Sequence, residues 1–193
     1  MQTQAGYFQD KTYTGEDFTK GLFSNGEYEN CQFINCNFAD LILSEVKFVD
    51  CEFSGSNLSN CRLEGSIFVD VKFKDCKLLG LRFDSCNPLA LSFSFERCQL
   101  DHSSFFKMKL KKIVFNSCRL ASVDFGECDL TLSVFDNCDL DKAMFDRTIL
   151  EKADLRTSYS YSIDPENNKI KKAKFSLPSA CGLLDKYDIV IEN

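Results

Sequence analysis

The chain has no tryptophan, three prolines and a single histidine among 193 residues. One histidine, His102, excludes any site built on two imidazoles, and no C-x-x-C pair occurs among the eleven cysteines, so the common zinc spacings are missing. No phosphate-cradling glycine loop is present. No apolar run approaches the roughly 18 residues of a membrane-spanning helix. The first twenty residues, MQTQAGYFQDKTYTGEDFTK, carry neither a basic start with an apolar run nor a small-residue cleavage site. A cytoplasmic protein without membrane contact is expected, in a compartment that keeps thiols reduced. Basic charge is also in short supply. Lys and Arg number 23 against 29 Asp and Glu, a formal net charge of −6, so direct nucleic-acid binding is not expected.

What is present is a beat of five. Stepping by five from Phe8 to Phe83 meets sixteen consecutive Phe, Tyr or Leu residues. The frame slips by two within NPLALSFSF and resumes from Phe95 through Leu155; sixteen of the nineteen phenylalanines lie on these two frames. Five steps along an α-helix rotate each large side chain by about 140°, which spreads them around the cylinder. In a flat strand an odd period sends successive side chains to opposite faces. The chain must therefore turn once per repeat, as in a solenoid whose coils bury one another's apolar residues.

Each repeat has a small or apolar residue two before its centre, as in CQFIN, CEFSG, SNLSN, CRLEG, CRLAS, CDLTL and CDLDK. This pattern resembles the pentapeptide-repeat family over about residues 6–176. The resemblance implies an all-β, right-handed quadrilateral β-helix with four repeats and about 20 residues per turn, here about eight turns. Residues 1–176 are then the β-helix, with its phase slip near 87–94, and 177–193 a C-terminal helix and strand for capping or dimerisation.

Ten cysteines sit two before a repeat centre, a position that Ser56, Ala143 and Ala153 also hold. Exchange with Ser and Ala is what a tight interior slot demands, and packing is the expected role. Cys98, Cys118 and Cys138 would stack about 4.8 Å apart, within disulfide range, but with parallel side chains. DHSSF (101–105) sets Asp, His and Ser side by side, yet adjacent residues on a turning chain do not converge on one reacting atom. No enzyme activity, metal or cofactor is expected.

Function is then expected on the outer surface. Residues 1–92 carry thirteen acids and eight bases, net −5, and residues 93–193 sixteen and fifteen, net −1. Asp124, Glu127 and Asp129, with Asp136, Asp139 and Asp141, are candidate partner-binding acids; KMKLKK (107–112) and KIKKAK (169–174) are basic. After the last repeat, Pro178 suits a helix start and Ile189–Val190–Ile191 reads as a strand. Leu183, Leu184, Tyr187, Ile189, Val190 and Ile191 are candidates for capping the last coil or for a homodimer interface.

This tail, with LSFSFERCQLDHSSF and YSIDPENNKIKKAKFSLP, is similar to the gyrase-protecting subgroup of the family, which includes albicidin-resistance, microcin B17 immunity and fluoroquinolone-resistance proteins. That resemblance implies a head-to-head dimer that engages a type II topoisomerase, DNA gyrase or topoisomerase IV, and counters a poison. The long loops of some members are missing here. The alternative is a general interaction scaffold with no topoisomerase role. Mimicry of DNA by bulk charge falls short: a dimer about 80 Å long would need about 47 negatives at one per about 1.7 Å, and twice −6 is −12.

Overall fold

The computed structural model describes residues 6–21, 23–88 and 91–191. Among the described residues there are ten strands: β1 (Gly6–Gln9), β2 (Thr12–Thr14), β3 (Gly26–Glu29), β4 (Gln32–Ile34), β5 (Lys47–Val49), β6 (Glu52–Ser54), β7 (Ile67–Lys74), β8 (Leu91–Glu96), β9 (Val114–Asn116) and β10 (Val134–Asp136). The pairings β1–β3, β2–β4, β3–β5, β4–β6, β5–β7, β6–β7, β7–β8 and β9–β10 are parallel. The chain divides into two compact units, one ending at Gln99 and the other beginning at Leu100.

In the N-terminal unit the repeat centres lie on one another at intervals of twenty residues. Phe8 pairs with Tyr28, Tyr28 with Phe48 and Phe48 with Phe68; on the next side Tyr13, Phe33, Phe53 and Phe73 follow one another. The rings stack in register, with centroids 4.7 Å apart for Phe33 and Phe53 and 5.2 Å for Phe53 and Phe73. Offset stacking of this kind adds to the area each ring buries. Phe73 pairs with Phe95, twenty-two residues on, through an irregular register between β7 and β8. Of the slip at 87–94, Leu89 and Ala90 lie outside the described residues.

The C-terminal unit repeats the design with single-residue bridges in place of most strands. The chain passes Lys109, Asp129, Ile149 and Lys169 in one column and Arg119, Asp139 and Tyr159 in another. Phe105, Phe125 and Phe145 stack at 5.4 and 5.3 Å, and Phe115 stacks on Phe135 at 5.1 Å. Phe115 meets Phe125 edge to face at 5.9 Å, so facing columns touch and the interior is filled.

The fold is an all-β parallel solenoid of about six turns, fewer than the eight obtained by dividing the repeat region by twenty. Chain direction changes at the residue two after most centres, which adopts the left-handed conformation even where it is not glycine: Asp50 has φ 51°, Lys112 64° and Leu132 62°. Glycine supplies this corner at Gly15, Gly55, Gly65 and Gly80.

The C-terminal segment departs from expectation in kind. Its helix is two short 3-10 turns, Ala180–Leu183 and Asp185–Tyr187, and Ile189–Ile191 belongs to no strand. A strand requires a neighbour to complete its ladder, and none pairs with these residues among those described. No helix among the described residues is long and apolar enough to cross a membrane.

Candidate interaction surfaces

The interior slots are chemically quiet, but they are not merely apolar. The side chain two before a centre donates to the carbonyl of the centre on the neighbouring coil: Cys61 Sγ to Phe38 O at 3.0 Å, Cys128 Sγ to Phe105 O at 3.1 Å, Ser56 Oγ to Phe33 O at 2.9 Å, Thr148 Oγ1 to Phe125 O at 2.8 Å. Size alone therefore does not explain the exchange of Cys with Ser; both fill the slot and both donate. Ten cysteines are buried, and Cys181 is exposed. Burial pushes the thiols of Cys51, Cys61, Cys86 and Cys128 up to about 12, the reverse of what a nucleophile or metal ligand requires. In DHSSF, Ser103 fills an interior slot and His102 is an exposed corner residue with φ 60°. Asp101 is held by Ala121 N at 3.1 Å and Arg119 Nε at 3.2 Å.

The six candidate acids do not share one surface. Asp124, Glu127 and Asp129 wrap one corner of the C-terminal unit, whereas Asp136, Asp139 and Asp141 wrap the corner two sides away. The first set is largely engaged. Asp124 accepts from Gly126 N at 2.8 Å, Glu127 pairs with Arg147 at 2.9 Å and Lys107 at 3.6 Å, and Asp129 pairs with Lys111 at 3.2 Å and accepts from Thr131. Hydrogen bonds from Thr131 and the nearby Lys111 hold the Asp129 carboxyl below the usual range, against the opposing effect of partial burial. In the second set, Asp136 accepts from Thr157 Oγ1 at 2.8 Å, Asp139 accepts from Asp141 N at 3.2 Å, and Asp141 lies 3.9 Å from Lys142.

A further acidic edge runs up one corner of the N-terminal unit. Asp10, Asn30, Asp50 and Asp70 follow at twenty-residue intervals with φ 55°, 50°, 51° and 52°. Asn30 Nδ2 bridges to Asp10 Oδ1 at 2.6 Å, and Ser92 Oγ donates to Asp70 Oδ1 at 2.9 Å. A groove of about 490 Å³ opens beside this edge, lined by Asn30, Gln32, Asp50, Glu52, Asp70 and Lys72. The −5 charge of residues 1–92 was the signal for it; the corner itself becomes readable once each coil is known to take four repeats.

The candidate interface residues lie together at the end of the C-terminal unit. Lys186 Nζ reaches Asp164 Oδ1 at 2.7 Å and Glu166 Oε2 at 2.6 Å, and Tyr187 Oη donates to Glu166 Oε1 at 2.9 Å. Gly182 O accepts from Ile163 N at 2.9 Å. These contacts dock one side of the segment. Leu183 is half-buried; Leu184, Tyr187, Ile189, Val190 and Ile191 are exposed, Val190 to 86%, and so is Leu177, at 90%.

Residues 21–87, 66–145 and 90–175 match the family described as pentapeptide repeat region. The chain belongs to the pentapeptide-repeat family. Among solved structures, a trypsin-treated form of QnrB1, a plasmid-mediated fluoroquinolone resistance protein, aligns over 97% of this chain and 100% of its own, with 18% identity and a TM-score of 0.61. A second trypsin-treated form of QnrB1 aligns over 96% and 99%, with 20% identity and a TM-score of 0.50. A comparison with curated protein sequences finds no match. At these identities the pentapeptide-repeat solenoid is what is shared.

Proposed function

We propose that this pentapeptide-repeat protein is a non-enzymatic binding module that protects a type II topoisomerase, DNA gyrase or topoisomerase IV, from a poison. The observation that carries the reading is a filled interior beneath a surface with acidic edges, which leaves recognition to outer side chains. Likeness to QnrB1 over 97% of this chain and 100% of its own supports it. Asp10, Asp50 and Asp70, with Asp136, Asp139 and Asp141, present the carboxylates that would stand in for DNA phosphates on the enzyme. Leu184, Tyr187, Ile189, Val190 and Ile191, flanked by the half-buried Leu183, would join two copies, with Ile189–Ile191 gaining in the dimer the ladder it lacks in one chain.

A scaffold role without a topoisomerase is the second reading. It is favoured by the pairing of Glu127 and Asp129 with lysine and arginine, which removes two of the acids that mimicry would use.

The deciding experiment is a gyrase supercoiling assay with the protein titrated in, with and without a fluoroquinolone or an albicidin-type poison. Rescue of the poisoned reaction by the wild type, and its loss in D136N/D139N/D141N with unchanged circular dichroism, is the expected result. No rescue and no inhibition at high concentration would leave the scaffold reading standing.

A further inference from the structure

The lysine-rich stretches at 107–112 and 169–174 are far apart in sequence, yet the fold lays them on one side of the C-terminal unit. Bridges step from Lys109 to Asp129, Ile149 and Lys169, which places the first and last of these in one column. Lys111 and Lys171 share the column two residues on. Along the adjoining corner Lys112, Leu132, Lys152 and Lys172 follow one another with φ 64°, 62°, 59° and 60°. Seven lysines and two carboxylates, Asp129 and Glu151, give this side a formal 7 − 2 = +5. Residues 100–193 as a whole have fourteen bases and fifteen acids, 14 − 15 = −1. All seven lysines are exposed. Lys111 pairs with Asp129 at 3.2 Å; the other six make no ion pair among the described residues.

We propose that this lysine face binds the phosphate backbone of duplex DNA. The charges form two rails and not a uniform sheet. Lys109, Lys111 and Lys112 lie on one coil and Lys169, Lys171 and Lys172 three coils away, about 14 Å at the spacing of parallel strands. That separation suits the two phosphate rows that border a major groove about 12 Å wide. Between the rails lie Asp129, Thr131, Ile149 and Glu151, with Leu132 and the seventh lysine, Lys152, at the corner; a groove accommodates the two carboxylates, which a continuous phosphate row would meet with repulsion. A flat anionic membrane would meet those carboxylates as well, and the face carries no aromatic side chain to anchor in headgroups or to stack on unpaired bases. Lysines act here as flexible point charges, so the contact positions the duplex without reading its bases. Bulk charge had pointed away from nucleic acid, because a net −6 averages over sides that the coil keeps apart. The inference is independent of the topoisomerase reading.

The test is fluorescence anisotropy of a labelled duplex of about 25 base pairs with the full chain, at salt from about 25 to 200 mM. Neutralising about four to six phosphates predicts saturable low-salt binding that weakens about 10²- to 10³-fold between 50 and 200 mM. The variant K109E/K112E/K169E/K171E, checked by its melting temperature, is expected to abolish binding, and each rail's pair alone to lower the salt slope by about two. D50N/D70N is expected to leave binding unweakened. Absence of saturable binding at about 25 mM salt, binding that survives the fourfold variant, or tighter binding to phosphatidylserine vesicles than to the duplex would each overturn the proposal.

Discussion

Replacing Gly182 by alanine tests how the C-terminal segment is held. Gly182 is buried, and a Cβ built on it would stand 2.0 Å from Tyr161 O and 3.1 Å from Tyr161 Cδ2. The near atom is backbone and cannot swing aside, so Ala180–Leu183 must retreat by about 1 Å to restore an ordinary contact. The bond from Ile163 N to Gly182 O, now 2.9 Å, would then lie beyond hydrogen-bond range. Ile163 is 1% exposed, so its amide would be left buried without a partner, at a cost of about 1–3 kcal/mol. That corresponds to about 5- to 140-fold faster exchange of the Ile163 amide, measured by hydrogen–deuterium exchange, while the amides of Leu120 and Leu130 on inner coils keep their protection. If the segment also joins two copies, light scattering will report a shift toward monomer in G182A. Unchanged exchange at Ile163 would refute the account of docking; changed exchange with an unchanged mass would confine the segment to capping.

The buried thiols make the fold sensitive to alkali. Cys51, Cys61, Cys86 and Cys128 are raised from 9.0 to about 12, so unfolded thiols ionise first, and stability is full below pH 9 and falls as pH rises toward 12. Each contributes a loss of up to about 1.4 kcal/mol per pH unit in that window; a melting temperature that stays level from pH 8 to 10.5 would contradict this, and Cys-to-Ser replacement should flatten the slope. Leu132 holds a corner at φ 62°, so L132G should relieve about 1–2 kcal/mol of left-handed strain against about 0.5–1 kcal/mol of added chain entropy, whereas β-branched L132V should be less stable than wild type. Equal melting of L132V and wild type would count against the corner argument. Phe125, fully buried between Phe105 and Phe145, should lose about 3–5 kcal/mol on truncation to alanine in urea unfolding; a loss under about 1 kcal/mol would mean the column re-packs.

Much of the fold was legible because a period of five leaves few alternatives. The residues from Phe8 to Phe83 and from Phe95 onward that the beat selects are largely the ones that stack inside, and the two-residue slip reappears as the pairing of Phe73 with Phe95. Other features were not legible. The donor role of Cys61 or Ser56 depends on a carbonyl twenty-three residues earlier, which no local pattern reveals. At the C-terminus, apolar spacing suggested a helix and a strand, but the segment forms short 3-10 turns with Gly182 close against Tyr161 O, and Ile189–Ile191 finds no pairing neighbour among the described residues. The acids chosen by their closeness in sequence, Asp124 to Asp141, fell around two separate corners.

By itself the sequence determined which side chains are buried and that the chain turns every fifth residue, since burial of a large apolar group at a constant interval is a local demand repeated along the chain. The period does not state how many sides a coil has. That number decides which surface residues are neighbours, and only the tertiary structure supplies it for this chain through pairing at twenty-residue intervals. Asp10, Asp50 and Asp70 become one edge, and Lys109 and Lys169 one column, because the coil returns to the same side after four repeats. Charges are not confined by the core and carry no packing signal of their own, so their grouping is written in the closure of the coil.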